Sequence, residues 1–118
     1  MLSLTIQLGH QDIDQFEKLL LVHLLGVLDA VEQDLMTTID AERYLLNSFR
    51  NAQLTTLGVR ADILDVLEQA GFLDDAKRLG ATSFASSCRD LRVAVLQALR
   101  IRASNNFAAA LTFQLEIY

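Results

Sequence analysis

The side chains that could act as a base, nucleophile or metal ligand, carboxylates aside, are His10, His23 and Cys88. His23 lies in the leucine-rich stretch from Leu19 to Leu28, where we expect a neutral, hydrogen-bonded imidazole with a structural role. Cys88 is expected to be a small buried hydrophobe, because it shares a helical stripe with Phe84, Leu91 and Val95. A nucleophilic cysteine would need a nearby base and a polar, partly open setting, and the sequence indicates neither.

Two pairs of acidic residues could be interpreted as metal ligands or as acid and base partners. They are Asp74 with Asp75 and Asp62 with Asp65. Each pair lies near a predicted helix start, where carboxylates cap the helix or interact with its dipole. The sequence has no glycine-rich phosphate loop, no His-Glu-x-x-His, no cysteine pair and no Gly-x-Ser-x-Gly. We therefore expect no catalytic residue, no metal site and no cofactor.

Three arginines form the clearest charge pattern in the chain. Arg89, Arg92 and Arg100 lie within about 80° of one another on a helical wheel, and Asp90 is the only acidic residue between Lys77 and Leu115. One interpretation is a solvated face that pairs with the molecule's own carboxylates. The other is a site for an anionic ligand or for an acidic partner surface.

Nucleic-acid binding is not expected. The formal net charge is -5, whereas nucleic-acid affinity depends on clustered Lys and Arg. The segment "TTLGVRADILDVLEQAG" could be interpreted as part of a helix-turn-helix. Its recognition helix would carry Asp62, Asp65 and Glu68 without a basic residue inside it, and such a helix would repel phosphate.

These residues must be positioned by helices, because most of the chain has helical periodicity. The first helix is predicted over 13–35, with a buried apolar stripe that includes Leu24, Val31 and Leu35. Gly26 in this helix indicates close approach of another backbone. A second helix over 39–49 is expected to bury Ile39, Leu45, Leu46 and Phe49, and a loop should follow it to Arg60. Further helices or turns are predicted over 61–70, 72–79 and from Thr82 or Ser83 to about Ala103. The longest nearly apolar run is too short to cross a bilayer.

The two ends of the chain alternate as strands with one apolar face do. Since two strands alone are marginal, we expect them to pair and helices to cover them. The predicted fold class is α+β, one domain over 1–118 with about four helices packed on a small sheet formed by the N- and C-terminal strands. Neither predicted strand contains the Pro or Lys that would protect a free edge from pairing, and the hydrophobic content is 52%. Both features favour a homodimer, formed by edge pairing or by face packing, over a monomer. The predicted interface consists of Leu111, Phe113, Leu115, Ile117, Leu21, Val22 and Leu25.

Three segments resemble a small bacterial family of uncharacterised proteins, classed as a domain of unknown function. They are "LLGVLDA" around Gly26, "TTIDAERYLLNS" and "DVLEQAGFLDD". The resemblance covers roughly residues 2 to 100, and the closing strand from Phe107 onward has no counterpart in it. It implies a bacterial, cytoplasmic protein and transfers no catalytic residue.

Together these patterns predict a non-enzymatic protein-interaction role, such as that of a regulator, adaptor or immunity-type protein that acts as a small homodimer. The alternative is a domain that binds a small anionic molecule in a pocket between the first and last long helices, with Arg89 or Arg92 holding the anion. A lone cysteine and the lack of a leader pattern favour the reducing cytoplasm. No membrane association is expected.

Overall fold

The computed structural model describes residues 2–8, 13–102 and 111–117, with side chains for 13–102. Two strands, β1 (Leu2–Leu8) and β2 (Leu111–Ile117), flank six helices. Four of the helices have at least ten residues: α1 (Ile13–Glu32), α3 (Ser48–Leu57), α4 (Ala61–Ala70) and α6 (Ala81–Ile101). The other two, α2 (Thr38–Tyr44) and α5 (Leu73–Leu79), have seven residues each.

The predicted α+β class is wrong, because the core of the molecule is a helical bundle. From Ile13 to Arg102 the chain forms helices and turns and no strand. Helix α1 packs on α6, which also packs on α4 and α5. Within the same range, the buried apolar residues all come from these helices and their connections. Helices therefore bury one another's apolar faces, and the small sheet is not the platform on which they pack.

The middle of α1 is buried on one broad face. The stripe through Leu24 and Val31 is buried, as its spacing predicted, and so are Leu21 and Leu28 beside it. The helix ends at Glu32, earlier than expected, because Asp34 adopts a positive φ of 63°. The opposite face is exposed at Val22 and Gly26, although the sequence there is apolar nearly all round.

Two sequence-based expectations about α1 are wrong. Leu35, which was assigned to the buried stripe, is 82% exposed because the chain has already turned. Gly26 faces open space among the described residues, since none of their heavy atoms outside its own helix turn lies within 4 Å of an ideal Cβ built on it. The expected close approach of another backbone is therefore not found there.

The helix predicted over 39–49 is two helices. Asn47 ends the first and caps the second: its side chain accepts a hydrogen bond from the backbone N of Arg50 at 2.9 Å and donates to the carbonyl of Glu42. Helix α3 then occupies most of the predicted loop and ends at Gly58, which has the left-handed φ of 90° that glycine tolerates. Because of this break, Leu45 and Leu46 are buried as expected, whereas Ile39 and Phe49 are exposed.

Helix α6 follows its predicted apolar spacing. It buries Cys88, Leu91, Val95 and Ala98. It begins at Ala81 after Gly80 and ends at Ile101, close to the predicted limits. This helix spans the bundle and brings Arg102 to the N-terminal end of α1.

The two strands pair with each other along their whole length. They are antiparallel, with Leu2 opposite Ile117 and Leu8 opposite Leu111. They form a two-stranded sheet, and within the described residues each strand has one edge without a neighbouring strand. This ribbon connects in sequence to the start of α1 and the end of α6.

Candidate functional site

Within the described part of the chain, the three arginines of the predicted anion site have separate contacts. Arg92 contacts Asp29 at 3.3 Å and Glu32 at 3.0 Å, both on α1. Arg89 donates to the Ser86 hydroxyl at 3.4 Å, and Arg100 is exposed in the last turn of α6. The contacts of Arg92 match the interpretation in which the basic face pairs with the protein's own carboxylates.

The predicted interface residues fall into two groups. Leu111, Phe113, Leu115 and Ile117 belong to β2, and their side chains lie outside the described residues. On α1, Val22 is 50% exposed and Leu25 is half-buried, packed against the core. Leu21 is fully buried within the bundle, so it offers a partner no surface, and its assignment to an interface is wrong.

His23 and Cys88 differ in burial. His23 is exposed, and its Nε2 atom lies 2.6 Å from the Tyr44 hydroxyl, with the two rings edge to face. Cys88 is buried in the core, and burial, with the charge of Glu32 as a smaller cause, raises the pKa of its thiol. A buried thiol with a raised pKa is a poor nucleophile.

A buried ion cluster joins the start of α1 to the start of α4 and the end of α6. Arg102 donates from Nε to Glu17 at 2.9 Å and makes two further bonds to the Asp62 carboxylate, at 2.8 and 2.9 Å. The other Glu17 oxygen accepts the backbone N–H of Arg60 at 2.8 Å. The Arg60 side chain also contacts Asp14. The cluster was not predicted, because Asp62 and Glu17 were interpreted as carboxylates that interact with helix dipoles near helix starts and Arg102 was given no role.

Pairing within the cluster shifts the pKa values of Asp62 and Arg102 in opposite directions. Hydrogen bonds from Arg102 lower the pKa of Asp62, although partial burial opposes the change. The bonds to Asp62, followed by those to Glu17, raise the pKa of Arg102 against the cost of its burial. Asp62 and Arg102 are therefore both charged near neutral pH. With its donors and acceptors occupied by one another, the cluster has the character of a structural clamp.

Exposed aromatic and arginine side chains adjoin one another where α1, α2 and α3 meet. Tyr44 contacts His23 through its hydroxyl, while its backbone carbonyl accepts a bond from Arg50 Nε at 3.2 Å. The Arg50 guanidinium lies over the Phe49 ring, 6.0 Å from its centroid. All four residues are exposed. We call this set, His23, Tyr44, Phe49 and Arg50, the aromatic surface.

Next to the aromatic surface lies an open cleft of about 530 Å³ between the α2–α3 corner and the end of α4. Its polar lining includes Glu42, Asn51 and Glu68, and Phe72 stands at its side. The remaining lining residues are Leu46, Asn47, Ser48, Leu67 and Gly71. We call this the acidic cleft, because both of its charged lining residues are glutamates.

Neither a metal site nor a membrane-spanning helix is found among the residues that the structure describes. Among residues that the structure describes, no group of three or more His, Cys, Asp and Glu side chains could hold a metal ion. None of the described helices is both long and apolar enough to cross a bilayer.

Comparison with known proteins identifies the family but no function. No curated protein and no solved structure matches the chain. Residues 11–113 match the family described as "Protein of unknown function (DUF3969)". That match spans α1 to α6 and agrees with the resemblance carried by the segments around Gly26, Tyr44 and Gly71. It also extends into β2, so the expectation that the chain from Phe107 onward has no counterpart in the family is wrong. The chain therefore belongs to the DUF3969 family.

Proposed function

We propose that the protein is a non-enzymatic interaction module, a regulator, adaptor or immunity-type protein, that binds a partner protein through the aromatic surface. The observation that carries this proposal is the contiguous set formed by His23, Tyr44, Phe49 and Arg50. Protein interfaces are enriched in tyrosine, phenylalanine and arginine, and tyrosine and arginine dominate binding hot spots. These side chains are already held in place by contacts within the chain.

The side chains of Tyr44 and Arg50 are pre-organised by contacts within the chain. Tyr44 is oriented by the hydrogen bond to His23, and Arg50 is oriented by the Tyr44 carbonyl and by the Gln53 side chain at 3.0 Å. A partner would therefore have little side-chain motion to freeze on binding, and that cost is one of the main terms opposing association. An exposed aromatic residue without such contacts would be a weaker indication.

The chemistry of the remaining groups supports a non-enzymatic role. Cys88 is buried, and His23 is engaged with Tyr44 outside any cleft described above. The anion-binding alternative ranks below the proposal, because Arg92 already faces two carboxylates that would compete with an anion. We place the protein in the cytoplasm, where its lone thiol would stay reduced, and propose that it acts as a homodimer.

Quantitative affinity capture with matched variants tests the proposal. The wild-type chain is compared with Tyr44→Ala/Phe49→Ala and with Leu35→Ala/Leu79→Ala, a control that removes two apolar side chains elsewhere that are more exposed than Tyr44 and Phe49. Loss of a hot spot weakens binding about 30-fold, so a genuine partner should be depleted by the first variant and retained by the control. Thermal unfolding verifies that both variants remain folded.

Two results would contradict the proposal. One is that the wild type and the Tyr44→Ala/Phe49→Ala variant enrich the same proteins to the same extent. The other is that both double variants lose the same proteins equally, because then general surface hydrophobicity and not the aromatic surface would be responsible.

A further inference from the structure

We propose that a groove along α3 binds an acidic segment of the partner protein that carries a large apolar side chain. The inference rests on the proposed function, because Arg50 belongs both to the groove and to the aromatic surface on which the partner docks. The groove has a volume of about 470 Å³. We call it the α3 groove, and it is lined by Leu45, Arg50, Gln53, Leu54, Thr56 and Leu57.

The lining of the α3 groove is mostly apolar. Leu45 and Leu54 are almost covered by the bundle, whereas Leu57 is exposed. An open groove of this kind leaves apolar surface in contact with water, and contact with a partner would remove it. A side chain of the size of leucine or phenylalanine gains most from such a place, because it has the largest apolar surface to bury.

Helix α3 is poorly packed on its groove side. Of its ten residues only Leu54 is buried, and the helix packs mainly on α4. A helix of this length is marginal in water unless tertiary packing supports it. Phe49, Gln53 and Leu57 are four positions apart and therefore share one side of α3, where all three are exposed. A partner segment on that side would add the packing that α3 lacks.

Arg50 gives the α3 groove a positive charge without a counter-ion. It is the only charged residue in the lining, and it forms no ion pair with a carboxylate of the described residues. Between Glu42 and Asp62 the charged residues are all arginines, Arg43, Arg50 and Arg60, although the net charge of the chain is -5. A carboxylate of the partner would therefore meet positive charge without displacing an internal carboxylate.

The Arg50 guanidinium is oriented but not saturated with acceptors. Its Nε donates to the Tyr44 carbonyl at 3.2 Å, and its Nη1 donates to the Gln53 side chain at 3.0 Å. A guanidinium has five N–H donors, so both donors on Nη2 still lack an acceptor among the described residues. Carboxylates accept such donors in strong, charge-assisted bonds. A carboxylate can thus bind Arg50 without breaking the bonds that hold it in place.

The two features together select the partner segment. A purely apolar segment would remove water from Arg50 without supplying a counter-charge, which is unfavourable. A small anion would leave the apolar part of the groove uncovered. A second copy of the chain fits less well, because in a two-fold contact the groove faces the same groove, and no carboxylate lines it. An acidic segment with a leucine or phenylalanine satisfies both features.

Titration of the full chain with short peptides tests the inference without the natural partner. The probe is acetyl-Asp-Leu-Phe-Asp-amide. One counterpart has asparagine in place of both aspartates, and the other has alanine in place of leucine and phenylalanine. Binding is followed by backbone amide chemical shifts. We expect saturable shifts at Gln53 and Leu57 with the probe, and binding of each counterpart that is weaker by about fivefold or more.

Substitutions in the groove separate charge from packing. Arg50→Gln should abolish the preference for the aspartate peptide over the asparagine peptide, whereas Leu57→Ala should weaken binding of both. The controls Arg89→Gln and Leu79→Ala remove the same groups from exposed positions on α6 and α5, and they should leave binding unchanged. Thermal unfolding verifies that all four variants remain folded.

Three outcomes would overturn the inference. The first is the absence of a saturable shift at Gln53 and Leu57 with the probe at concentrations up to about 10 mM. The second is equal binding of the probe and either counterpart. The third is a change of the same shifts on dilution of the chain without peptide, which would place a second copy in the groove.

The titration is independent of affinity capture. A failed titration refutes the chemistry assigned to the partner segment, while a partner that depends on Tyr44 still stands. Failed capture refutes the proposed function, whether or not the peptide binds.

Discussion

The Arg102 guanidinium lies 2.9 Å from the Glu17 carboxylate and joins two residues that are 85 positions apart in the chain. Glu17 is fully buried and the Arg102 side chain is 2% exposed. The pair locks the end of α6 to the start of α1, while Asp62 ties α4 to the same point. Three of the four long helices are therefore fixed at one end of the bundle by a single guanidinium.

Removal of Glu17 should destabilise the fold strongly. Glu17→Ala leaves Arg102 with an unsatisfied buried charge on one side and deprives the Arg60 backbone N–H of its acceptor. Breaking one partner of a buried pair costs about 3–5 kcal/mol of the free energy of unfolding. Urea denaturation of the variant and the wild type measures the loss directly.

The matched control for that experiment is Glu32→Ala on the same helix. Glu32 pairs with Arg92 near the surface, where an ion pair contributes at most about 1 kcal/mol. Equal losses for the two variants would mean that the Glu17 cluster has no special role in holding the helices together.

The Asp62 carboxylate should make stability depend on pH on the acid side. Hydrogen bonds from Arg102 lower its pKa in the folded state. As the pH is lowered, the unfolded chain therefore binds a proton at Asp62 before the folded chain does. The contribution of Asp62 to the free energy of unfolding is present above about pH 4 and is lost as the pH falls further. Asp62→Asn should be less stable than the wild type at pH 7, and this difference should shrink as the pH is lowered towards 2.

Urea unfolding at a series of pH values measures that difference. Asp65→Asn, a change of the same charge on the same helix, shows how much of it comes from net charge alone. A difference between Asp62→Asn and the wild type that stays constant from pH 7 to pH 2 would refute the coupling of Asp62 to Arg102.

Much of the secondary structure could be predicted from local patterns. The apolar spacing of α4 and α6 and the glycines that follow α4 and α5 are signals contained within one helix. The class of the fold was not predictable in this way. An apolar segment such as 19–28 indicates burial, but it does not show which element packs on the helix. Alternation at both chain ends suggested a sheet as the covering element, whereas α6 supplies most of the packing on α1.

The features that the sequence did not reveal depend on long-range contacts. Asn47 is a good helix cap, but it lies within a segment whose periodicity also fits one continuous helix. The Glu17–Arg102 pair joins charged residues that look like ordinary surface residues at their own positions. The acidic cleft likewise brings Glu42 and Glu68 together through the fold of the α2–α3 corner. No spacing rule within a single helix could have indicated either site.

Cys88 should be protected from thiol reagents in the native protein. It is fully buried, and burial raises the pKa of its thiol, so less of the reactive thiolate is present at a given pH. Reaction with Ellman's reagent should require opening of the α1–α6 core and should be at least about 1000-fold slower than in urea-unfolded protein. Native protein that reacts as fast as unfolded protein would contradict this placement.

Two glycine substitutions should change stability in opposite directions. Gly26 is an exposed helical position with open space around its Cα, so Gly26→Ala should stabilise the fold by about 0.5–1 kcal/mol through helix propensity. Gly58 has a φ of 90°, which alanine disfavours, so Gly58→Ala should destabilise by about 1 kcal/mol. Chemical denaturation of both variants tests the pair, and a destabilising Gly26→Ala would mean that something does pack there.

Light scattering behind a sizing column tests the proposed homodimer. The intact chain is compared with one truncated before Phe107, which removes β2, the only strand paired with β1 within the described residues. If dimers form through the sheet, the truncated chain should have the mass of one chain and the intact chain that of two, because exposed strand edges are the groups available for pairing between copies.

A Val22→Ser variant tests the other predicted interface, since Val22 is half-exposed on α1, outside the strands. Loss of the dimer in this variant but not in the truncated chain would place the interface on α1 and would reject pairing through the strands.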